Sequence, residues 1–525
     1  MKALLITGSL AEKAVKRYAK ESSVETSVLA LKVPVAALLS PEQIVKALTK
    51  RGVEDFDVIL VPGLIRGDTA VIADSVGKPA FKGPRYAADL PTVLDALGRV
   101  QLSTVTPACD LLRDELRQKA LRELDAVEKN RDALLKKPGN MLIGELAIGK
   151  DFPMRVLAEI VDAALMPNDE IQRLAKHFVK AGADVIDVGM VAGESRPSDA
   201  KRAVEAVKKA VDVPVSIDTL DPAELKEAVA AGADLILSAD AGNLEQIAPF
   251  AADVAVVIIP TNQREGYFPQ KAEDRTRFLE EIMEEARALG MKRLIADLIL
   301  EPSNVLESII AFRDFAARNP DVPVFVGVSN VTELFDADSV GVNALLARLS
   351  SEANASILLA TEKSSKAKGT VREEAIAAKM MFLAKRRGSV PKDLGIDLLV
   401  LKDKRKHEEA YDKALEADAQ VTMADEDSEP ATVDPQGVFR ITVDRNAETI
   451  VALHFATAEA DKPNNIIKGK TAEAVYAKIV ETGLVTRLDH AAYLGSELAK
   501  AEVALKTSKE YIQDRTLFKG LLSSS

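Results

Sequence analysis

Residues 231–240 read AGADLILSAD, and residues 181–189 read AGADVIDVG. In both stretches an Ala-Gly-Ala-Asp segment ends a helical pattern and is followed by a short apolar run. Glycine commonly ends a helix because it adopts the left-handed conformation readily. A short apolar run bounded by such a signal is typical of a buried strand. The repeat therefore predicts a helix–turn–strand unit that recurs along this chain.

Eight apolar runs of this kind lie between residues 140 and 400, with helical segments between most of them. The runs are MLIGELAI, ADVIDVG, VPVSIDT, ADLILSAD, DVAVVIIPT, KRLIADLIL, VPVFVGVSN and ASILLATE. An open doubly wound sheet would also contain such strands. Eight strands alternating with helices over roughly 250 residues favour a closed (β/α)₈ TIM barrel. We therefore predict an α/β protein with a barrel at 140–400 that begins with MLIGELAI.

Different patterns flank the predicted barrel. Residues 1–107 alternate short apolar strands with amphipathic helices, which predicts an open α/β domain of the Rossmann or flavodoxin type. No G-x-G-x-x-G motif follows its first strand, so a dinucleotide site is not indicated. Residues 108–139 predict a helical connector, residues 401–436 a charged helix and linker, and residues 437–525 a small α+β domain.

The composition restricts the partners and the setting. The chain has 525 residues and a formal net charge of −12, which disfavours a general role on nucleic acid because phosphate binding needs a basic face. No apolar run approaches roughly 20 residues, so no membrane span is predicted. The single cysteine excludes an internal disulfide, and four separate histidines do not resemble a zinc site. We expect a cytoplasmic enzyme that forms a homodimer and acts on small molecules.

Polar residues stand at or near the ends of the predicted barrel strands. They are Glu145, Asp187, Asp218, Asp240, Asp297, Asn330 and Glu362. A single Asp in such a place is commonly a helix N-cap, but the carboxyl ends of all barrel strands meet at one rim, where active sites lie. Carboxylates and an amide suit the N–H donors of an aminopyrimidine ring. The same oxygens could instead bind Mg²⁺.

Two motifs carry a resemblance to a known family. The segment VPVSIDTLDPAELKEAVAAGADLI at 213–236 resembles the Ser-Ile-Asp-Thr strand of dihydropteroate synthases and of pterin-dependent methyltransferases. The segment AGADVIDVGMVAGESRPSD at 181–199 resembles the preceding strand and loop of the synthases. The whole chain is similar to the archaeal-type dihydropteroate synthase-related proteins, found in organisms that make or use tetrahydromethanopterin. The resemblance implies a pterin-binding TIM barrel.

The resemblance also implies roles for individual residues. Asp218 and Asp297 would hold the aminopyrimidine edge of a pterin, and Asp187 would order the site beside them. Arg196 would meet a pyrophosphate or the second substrate. From the resemblance and the strand-end positions together, we assign catalysis to Asp187, Arg196 and Lys363, and the pterin pocket to Asp218, Asp240, Asp297, Asn330, Ser329 and Glu145.

A group of lysines follows the eighth predicted strand, ahead of Gly369 and Thr370, which open a helix. Phosphate sites in barrels commonly lie after strands seven and eight, at a helix N-terminus. We therefore assign phosphate binding to Arg196, Lys363, Lys366 and Thr370. No residue is assigned to a metal, although Mg²⁺ is kept as a candidate cofactor beside the pterin.

The sequence also departs from the synthases. The first run, IGELAIGKDFP, lacks their Asn, the seventh strand ends VSNV where they have Ser-Arg-Lys, and the eighth ends TEKSSK where they have Arg-x-His. The Ser-Asn pair at 329–330 instead resembles corrinoid methyltransferases, whose Asn reaches N5 of a methyl-pterin.

Three functions stay open at this stage. The first is condensation of a dihydropterin methyl pyrophosphate with an arylamine of the ribofuranosylaminobenzene phosphate type, in tetrahydromethanopterin biosynthesis. The second is methyl transfer from a methyl-tetrahydropterin. The third is pterin binding without catalysis.

Overall fold

The computed structural model describes residues 1–404, 411, 413–424 and 433–518. Residues 405–410, 412 and 425–432 of the charged helix and linker predicted at 401–436, and the end of the predicted C-terminal domain, therefore lie outside the described residues. The chain forms two compact units, Met1–Glu123 with Asp393–Met423 and Leu124–Lys392 with Ala424–Ser525.

The first unit contains a four-stranded parallel sheet with the strand order β2-β1-β3-β4. Its elements are β1 (Lys2–Gly8), α1 (Glu12–Ala19), β2 (Glu25–Leu31), α2 (Pro41–Arg51), β3 (Val58–Val61), α3 (Ala70–Val76), β4 (Ala80–Lys82) and α4 (Leu90–Asp95). Apolar residues cover both faces of the sheet, in two separate buried clusters. The prediction of an open α/β fold for this region is confirmed, and helices α5 (Ala108–Lys129) and α6 (Arg131–Leu134) follow it.

The run MLIGELAI is not a barrel strand. It forms an antiparallel hairpin of β5 (Asn140–Ile143) and β6 (Leu146–Gly149), with the turn at Gly144 and Glu145. The first barrel strand is instead β7 (Arg155–Ile160), with the sequence RVLAEI. The prediction of the first strand was wrong because a hairpin of two short apolar strands reads along the chain like one longer strand.

The barrel itself is closed and parallel, with eight strands in the cyclic order β7-β8-β9-β10-β11-β12-β13-β14. Its strands after β7 are β8 (Val185–Gly189), β9 (Val215–Asp218), β10 (Leu235–Ala239), β11 (Ala255–Ile258), β12 (Arg293–Asp297), β13 (Val324–Val326) and β14 (Ala355–Ala360). Its helices are α7 (Asn168–Ala181), α8 (Pro197–Ala210), α9 (Pro222–Ala230), α10 (Leu244–Ala251), α11 (Ala272–Ala288), α12 (Val305–Arg318), α13 (Ser329–Thr332), α14 (Ser339–Glu352) and α15 (Thr370–Arg387). The TIM-barrel prediction is confirmed.

The β5–β6 hairpin closes the amino-terminal end of the barrel. Ile143 and Ile148 are fully buried and belong to the same apolar cluster as the inward-facing side chains of the barrel strands. At the barrel wall, Arg155 Nε donates a 2.9 Å hydrogen bond to the Ala147 carbonyl. The opposite, carboxyl-terminal end of the barrel is therefore the end at which a ligand can enter.

The C-terminal part is a small α+β unit, as predicted. Strands β15 (Val438–Asp444), β16 (Thr449–Phe455) and β17 (Asn465–Gly469) form an antiparallel sheet, and helices α16 (Ala472–Glu481) and α17 (Leu488–Lys506) pack on it. No helix among the described residues is both long and apolar enough to cross a bilayer.

We expect Ile148→Ala to lower the free energy of unfolding by about 2–5 kcal/mol, because it removes a fully buried side chain and leaves a cavity at the closed end of the barrel. Chemical denaturation followed by circular dichroism measures the loss. Ile466→Ala is the control, since Ile466 is mostly exposed. Equal, small effects of the two substitutions would contradict the closing role of the hairpin.

Candidate functional site

Four carboxyl side chains converge at the carboxyl-terminal mouth of the barrel. Glu159, Asp187 and Asp218 lie at or near the ends of the first three strands, and one carboxylate oxygen of each lies within 4.8 Å of the others. Asp297 ends the sixth strand, on the other side of the barrel, and still raises the pKa of Asp218 through its charge. Side chains alternate along a strand, so Asp297 points to the same interior side as Ile295, and Asp218 to the same side as Ser216, which binds Asp187.

The four acids hold their protons more tightly than ordinary carboxylic acids. Burial, followed by the charge of Asp218, raises the pKa of Glu159 to about 8. Burial and the charge of Asp297 raise the pKa of Asp218 to about 7. Burial raises the pKa of Asp297 to about 7, and the pKa of Asp187 lies well above its usual range for the same reason. Near neutral pH the cluster can therefore donate hydrogen bonds as well as accept them.

Asp187 has one oxygen that is not used by the protein. Its Oδ1 accepts a 2.5 Å hydrogen bond from Ser216 Oγ, whereas its buried Oδ2 has no partner among the described residues. A buried oxygen without a partner is costly, so a ligand donor or a cation stabilises it. Together with Glu159 and Asp218 it offers the oxygen ligands that Mg²⁺ prefers, and the cluster fits such an ion.

Asp297 is held in place by a buried arginine. The Asp297 Oδ1 accepts a 2.8 Å hydrogen bond from the Ile299 N–H, and Ile299 has a left-handed φ of 63° that β-branched residues rarely adopt. Arg275, fully buried, donates to the Ile299 carbonyl at 2.9 Å and to Ser308 Oγ at 3.0 Å, and it pairs with Glu301 at 3.2 Å. Its positive charge also lowers the pKa of Asp297. Arg275 thus fixes the strained turn that orients Asp297.

The two residues of the Ser-Asn pair after the seventh strand make different hydrogen bonds. Ser329 is buried, and its Oγ accepts a 2.7 Å hydrogen bond from the Thr361 N–H, so it joins the ends of strands seven and eight. Asn330 is half-buried and its Nδ2 donates to the Leu300 carbonyl at 3.2 Å. Its Oδ1 accepts no hydrogen bond from the part of the chain that the structure describes. Asn330, rather than Ser329, is available to a ligand.

Two predicted pocket residues are not available at the mouth. Glu145 lies in the turn of the β5–β6 hairpin, at the closed end of the barrel, and its side chain is 96% exposed. Asp240 is buried, and its two oxygens accept hydrogen bonds from the Gly242 N–H, the Thr261 hydroxyl and the Gln263 N–H at 2.8–2.9 Å. Assigning these two residues to the pterin pocket was wrong because one belongs to the hairpin and the other holds its own loop together.

Glu159 is the mouth residue that the sequence prediction missed. It stands near the end of β7, in RVLAEIVDAAL. The buried apolar residues Val156, Leu157 and Ala158 before it are the signal that could have identified it. That signal went unused because the first strand was placed at MLIGELAI.

The predicted phosphate-binding cations are paired with carboxylates. Arg196 Nε donates to Glu194 at 2.6 Å, Lys363 Nζ lies 3.0 Å from Asp162, and Lys366 Nζ lies 3.0 Å from Asp336. All of these contacts are partly or largely exposed, so each contributes little to stability. Lys363 is close enough to the acidic cluster to lower the pKa of Glu159.

Thr370 does not form a phosphate site with these lysines. It is fully buried, and its hydroxyl accepts a hydrogen bond from Asn343 Nδ2 at 3.4 Å. At the same helix end, Glu362 Oε1 accepts from the Val371 N–H at 3.3 Å. A carboxylate therefore already occupies the N-terminus of α15, which makes the predicted assignment of Thr370 to phosphate wrong.

Three segments of the chain match protein families. Residues 161–366 match the family described as pterin binding enzyme. Residues 433–514 match the family PterinBD-DUF4346, and residues 1–85 match a family of unknown function, DUF6513. The pterin-binding match spans strands two to eight of the barrel and includes Asp187, Asp218 and Asp297.

Relatives of the whole chain and of parts of it are also found. "Uncharacterized protein MJ0107" of Methanocaldococcus jannaschii is 41% identical over 532 residues, covering 99% of each chain. A Ycf91-like protein of Nostoc sp. is 36% identical over 106 residues, covering 16% of this chain and 84% of that protein. Among solved structures, Yersinia pestis dihydropteroate synthase with a pterine-sulfa conjugate is 20% identical, with a TM-score of 0.38 over 47% of this chain and 99% of that one.

We expect the melting temperature of the ligand-free protein to fall as the pH rises from 6 to 9. The folded chain keeps protons on Asp218, Asp297 and Glu159 that the unfolded chain has already released, so their stabilising contribution is lost as the pH rises through about 7 and 8. The pKa of Asp218, about 7, lies one unit above the starting pH of 6. Asp218→Asn should therefore remove about 1.4 kcal/mol of that loss, the free energy that corresponds to one pKa unit.

Thermal unfolding over this pH range measures the effect. Asp253→Asn, at a side chain that is 93% exposed, is the matched control and should follow the unsubstituted protein. The same pH dependence in Asp218→Asn as in the control would contradict the raised pKa.

Proposed function

Because the chain belongs to the same family as the Methanocaldococcus protein and its barrel is that of the pterin-binding enzymes, we propose that it is a transferase acting on a reduced pterin. Asp218 and Asp297 hold the aminopyrimidine edge of the ring. Asn330 contacts the ring from the seventh strand, and Asp187 and Glu159 complete the acidic floor of the pocket.

The observation that carries this proposal is the pair of acids in the mouth, Asp297 buried and Asp218 half-buried, whose pKa values are both raised to about 7. A carboxylate accepts two parallel N–H bonds from a 2-aminopyrimidine, and a protonated carboxyl group donates to a ring nitrogen or carbonyl. The low dielectric of the buried site strengthens each of these bonds. A flat ring with donors and acceptors along its edges therefore relieves the repulsion between the two acids.

For the reaction we propose condensation of a dihydropterin methyl pyrophosphate with an arylamine of the ribofuranosylaminobenzene phosphate type, in tetrahydromethanopterin biosynthesis. The amine nitrogen attacks the methylene carbon, the bond from carbon to the pyrophosphate oxygen breaks, and the nitrogen loses a proton. Positioning of the two substrates supplies most of the acceleration.

The leaving pyrophosphate needs positive charge close to the mouth. Lys363 supplies it when it exchanges the exposed Asp162 carboxylate for phosphate oxygens, an exchange that costs little because an exposed ion pair is weak. Mg²⁺ held by Glu159 and Asp187 would neutralise part of the pyrophosphate charge. Arg196 stands farther out, at the start of α8, where it can meet the second substrate.

Methyl transfer from a methyl-tetrahydropterin is the second candidate. Two observations favour it: the free Oδ1 of Asn330, and the raised pKa of Glu159, which keeps a proton in the mouth at neutral pH. Departure of a methyl group from N5 requires a hydrogen bond or a proton on that nitrogen, and no pyrophosphate has to be bound.

We expect Asp218→Asn and Asp297→Asn each to weaken binding of 6-hydroxymethyl-7,8-dihydropterin by about 1.5–3 kcal/mol, the range for a hydrogen bond to a charged group. Isothermal titration calorimetry measures the affinity. Asp253→Asn is the control and should bind like the unsubstituted chain. Unchanged affinity in both mouth variants would remove the proposal that these acids hold the ring.

An assay of the purified chain with Mg²⁺ distinguishes the two candidate reactions by their products. Dihydropterin methyl pyrophosphate and a ribofuranosylaminobenzene phosphate should release pyrophosphate, and Lys363→Met should reduce that release at least 10-fold while leaving dihydropterin affinity unchanged. Methylation of cob(I)alamin by methyl-tetrahydromethanopterin, without pyrophosphate release, would support methyl transfer instead. Tight pterin binding with neither product would indicate a non-catalytic protein.

A further inference from the structure

The N-terminal sheet contains a crevice that the proposed function does not use. About 450 Å³ of space, part of it open solvent, lies at the carboxyl ends of β1, β3 and β4. Chain connections leave the sheet in opposite directions on the two sides of β1 and β3, since the strand order is β2-β1-β3-β4. Open parallel sheets bind their ligands at such a switch point.

The strand pairing explains why the crevice is there. β1 pairs with β2 along its whole length, to Gly8 opposite Leu31, but it pairs with β3 only as far as Leu5 opposite Leu60. β3 and β4 stay together beyond their ends, because the Gly63 N–H donates to the Pro84 carbonyl at 3.0 Å. The gap therefore opens between β1 and β3 alone.

One polar side chain inside the crevice has no hydrogen-bond partner among the described residues. Thr7 lies at the end of β1, lines the crevice and is only 2% exposed. Its hydroxyl makes no hydrogen bond to any residue that the structure describes. The hydroxyl borders a largely apolar crevice and bonds to no described residue, so a ligand atom that pairs with it gains a hydrogen bond there.

The other walls determine the kind of ligand. Most of them are apolar, including Val15, Ala36 and Leu90, which suits a flat ring. Phosphate is not suited, because the backbone N–H groups of Ser9 and Leu10 after β1 already donate to the carbonyls of Val33 and Pro34, at 3.0 and 3.2 Å. The crevice therefore lacks the free donors that bind phosphate at the ends of β1 strands.

The rim also carries little net charge. Arg85 lines the crevice, but its Nε and Nη2 both donate to Asp110 Oδ2, at 3.1 and 2.6 Å. Because the Arg85 guanidinium already pairs with the Asp110 carboxylate, it attracts a second anion only weakly. A ligand at this rim gains little from a negative charge.

We propose that this crevice is a second binding site, specific for an uncharged, flat heteroaromatic ring that hydrogen-bonds to the Thr7 hydroxyl. Its ligand stacks between the apolar side chains of α1 and the segment around Ala36, and it places one ring nitrogen or exocyclic group toward Thr7. The site is separate from the barrel mouth and takes no phosphate.

Adenine is the probe, with adenosine monophosphate as its phosphate-bearing counterpart. The full chain carrying Asp218→Asn and Asp297→Asn is titrated by calorimetry and ligand-observed NMR, so that binding at the barrel mouth does not contribute. We expect saturable binding of adenine, weakened roughly 2- to 10-fold by Thr7→Val, the range for one neutral hydrogen bond, and no tighter binding of the monophosphate.

Two further variants keep the test decisive if Thr7→Val has a small effect. Ala36→Phe fills the crevice and should abolish binding, whereas Val35→Phe, at the neighbouring and largely exposed position, should not. Absence of saturable adenine binding, survival of binding in Ala36→Phe, or a monophosphate that binds 10-fold more tightly than adenine would each overturn the proposal.

Discussion

The repulsion that the charge of Asp297 exerts on Asp218 in the barrel mouth is the constraint on which the site depends. Asp297 is buried and Asp218 is half-buried, and desolvation, which outweighs the charge of Arg275 at Asp297, raises the pKa of each to about 7. The protein maintains this arrangement at a cost in stability, which is typical of functional sites rather than of structural ion pairs. A ligand that offers several N–H donors between the two acids offsets that cost, so the fold and the proposed substrate are complementary.

The barrel supplies the rigidity that this arrangement needs. The acids lie on strands or directly after them, and the hairpin at the other end seals the interior with Ile143 and Ile148. Water can therefore reach the acids only from the mouth. The Ser329–Thr361 hydrogen bond joins the last two strands near the rim and keeps Asn330 on the ligand side.

Much of the fold could be predicted from the sequence, because the repeat of glycine-ended helices and apolar strands has a period that only a few architectures share. Asp187, Asp218 and Asp297 were likewise predicted from their places at strand ends. Glu159 was not, since β5, β6 and β7 follow one another without a helix and the apolar pattern does not distinguish a sealing hairpin from a first strand. Asp240 was misassigned for another reason: a carboxylate at a strand end looks the same in sequence whether it serves a ligand or its own loop.

The lysines after the eighth strand illustrate a further limit of sequence patterns. A basic cluster before a helix predicts an anion site, but Glu362 binds the helix end and acidic neighbours pair with the lysines. Which partner a charged side chain selects depends on loops that are distant in sequence, such as the one that carries Asp162.

Arg275 ties two distant segments of the chain to one another. It reaches from α11 to the turn after β12, and its buried guanidinium has no water to replace the carbonyl and hydroxyl groups that it binds. Loss of either side would leave the other without its partner. The side chains that depend on Arg275 are Ser308 and Glu301, so a homologue that replaces the arginine should also change these two partners.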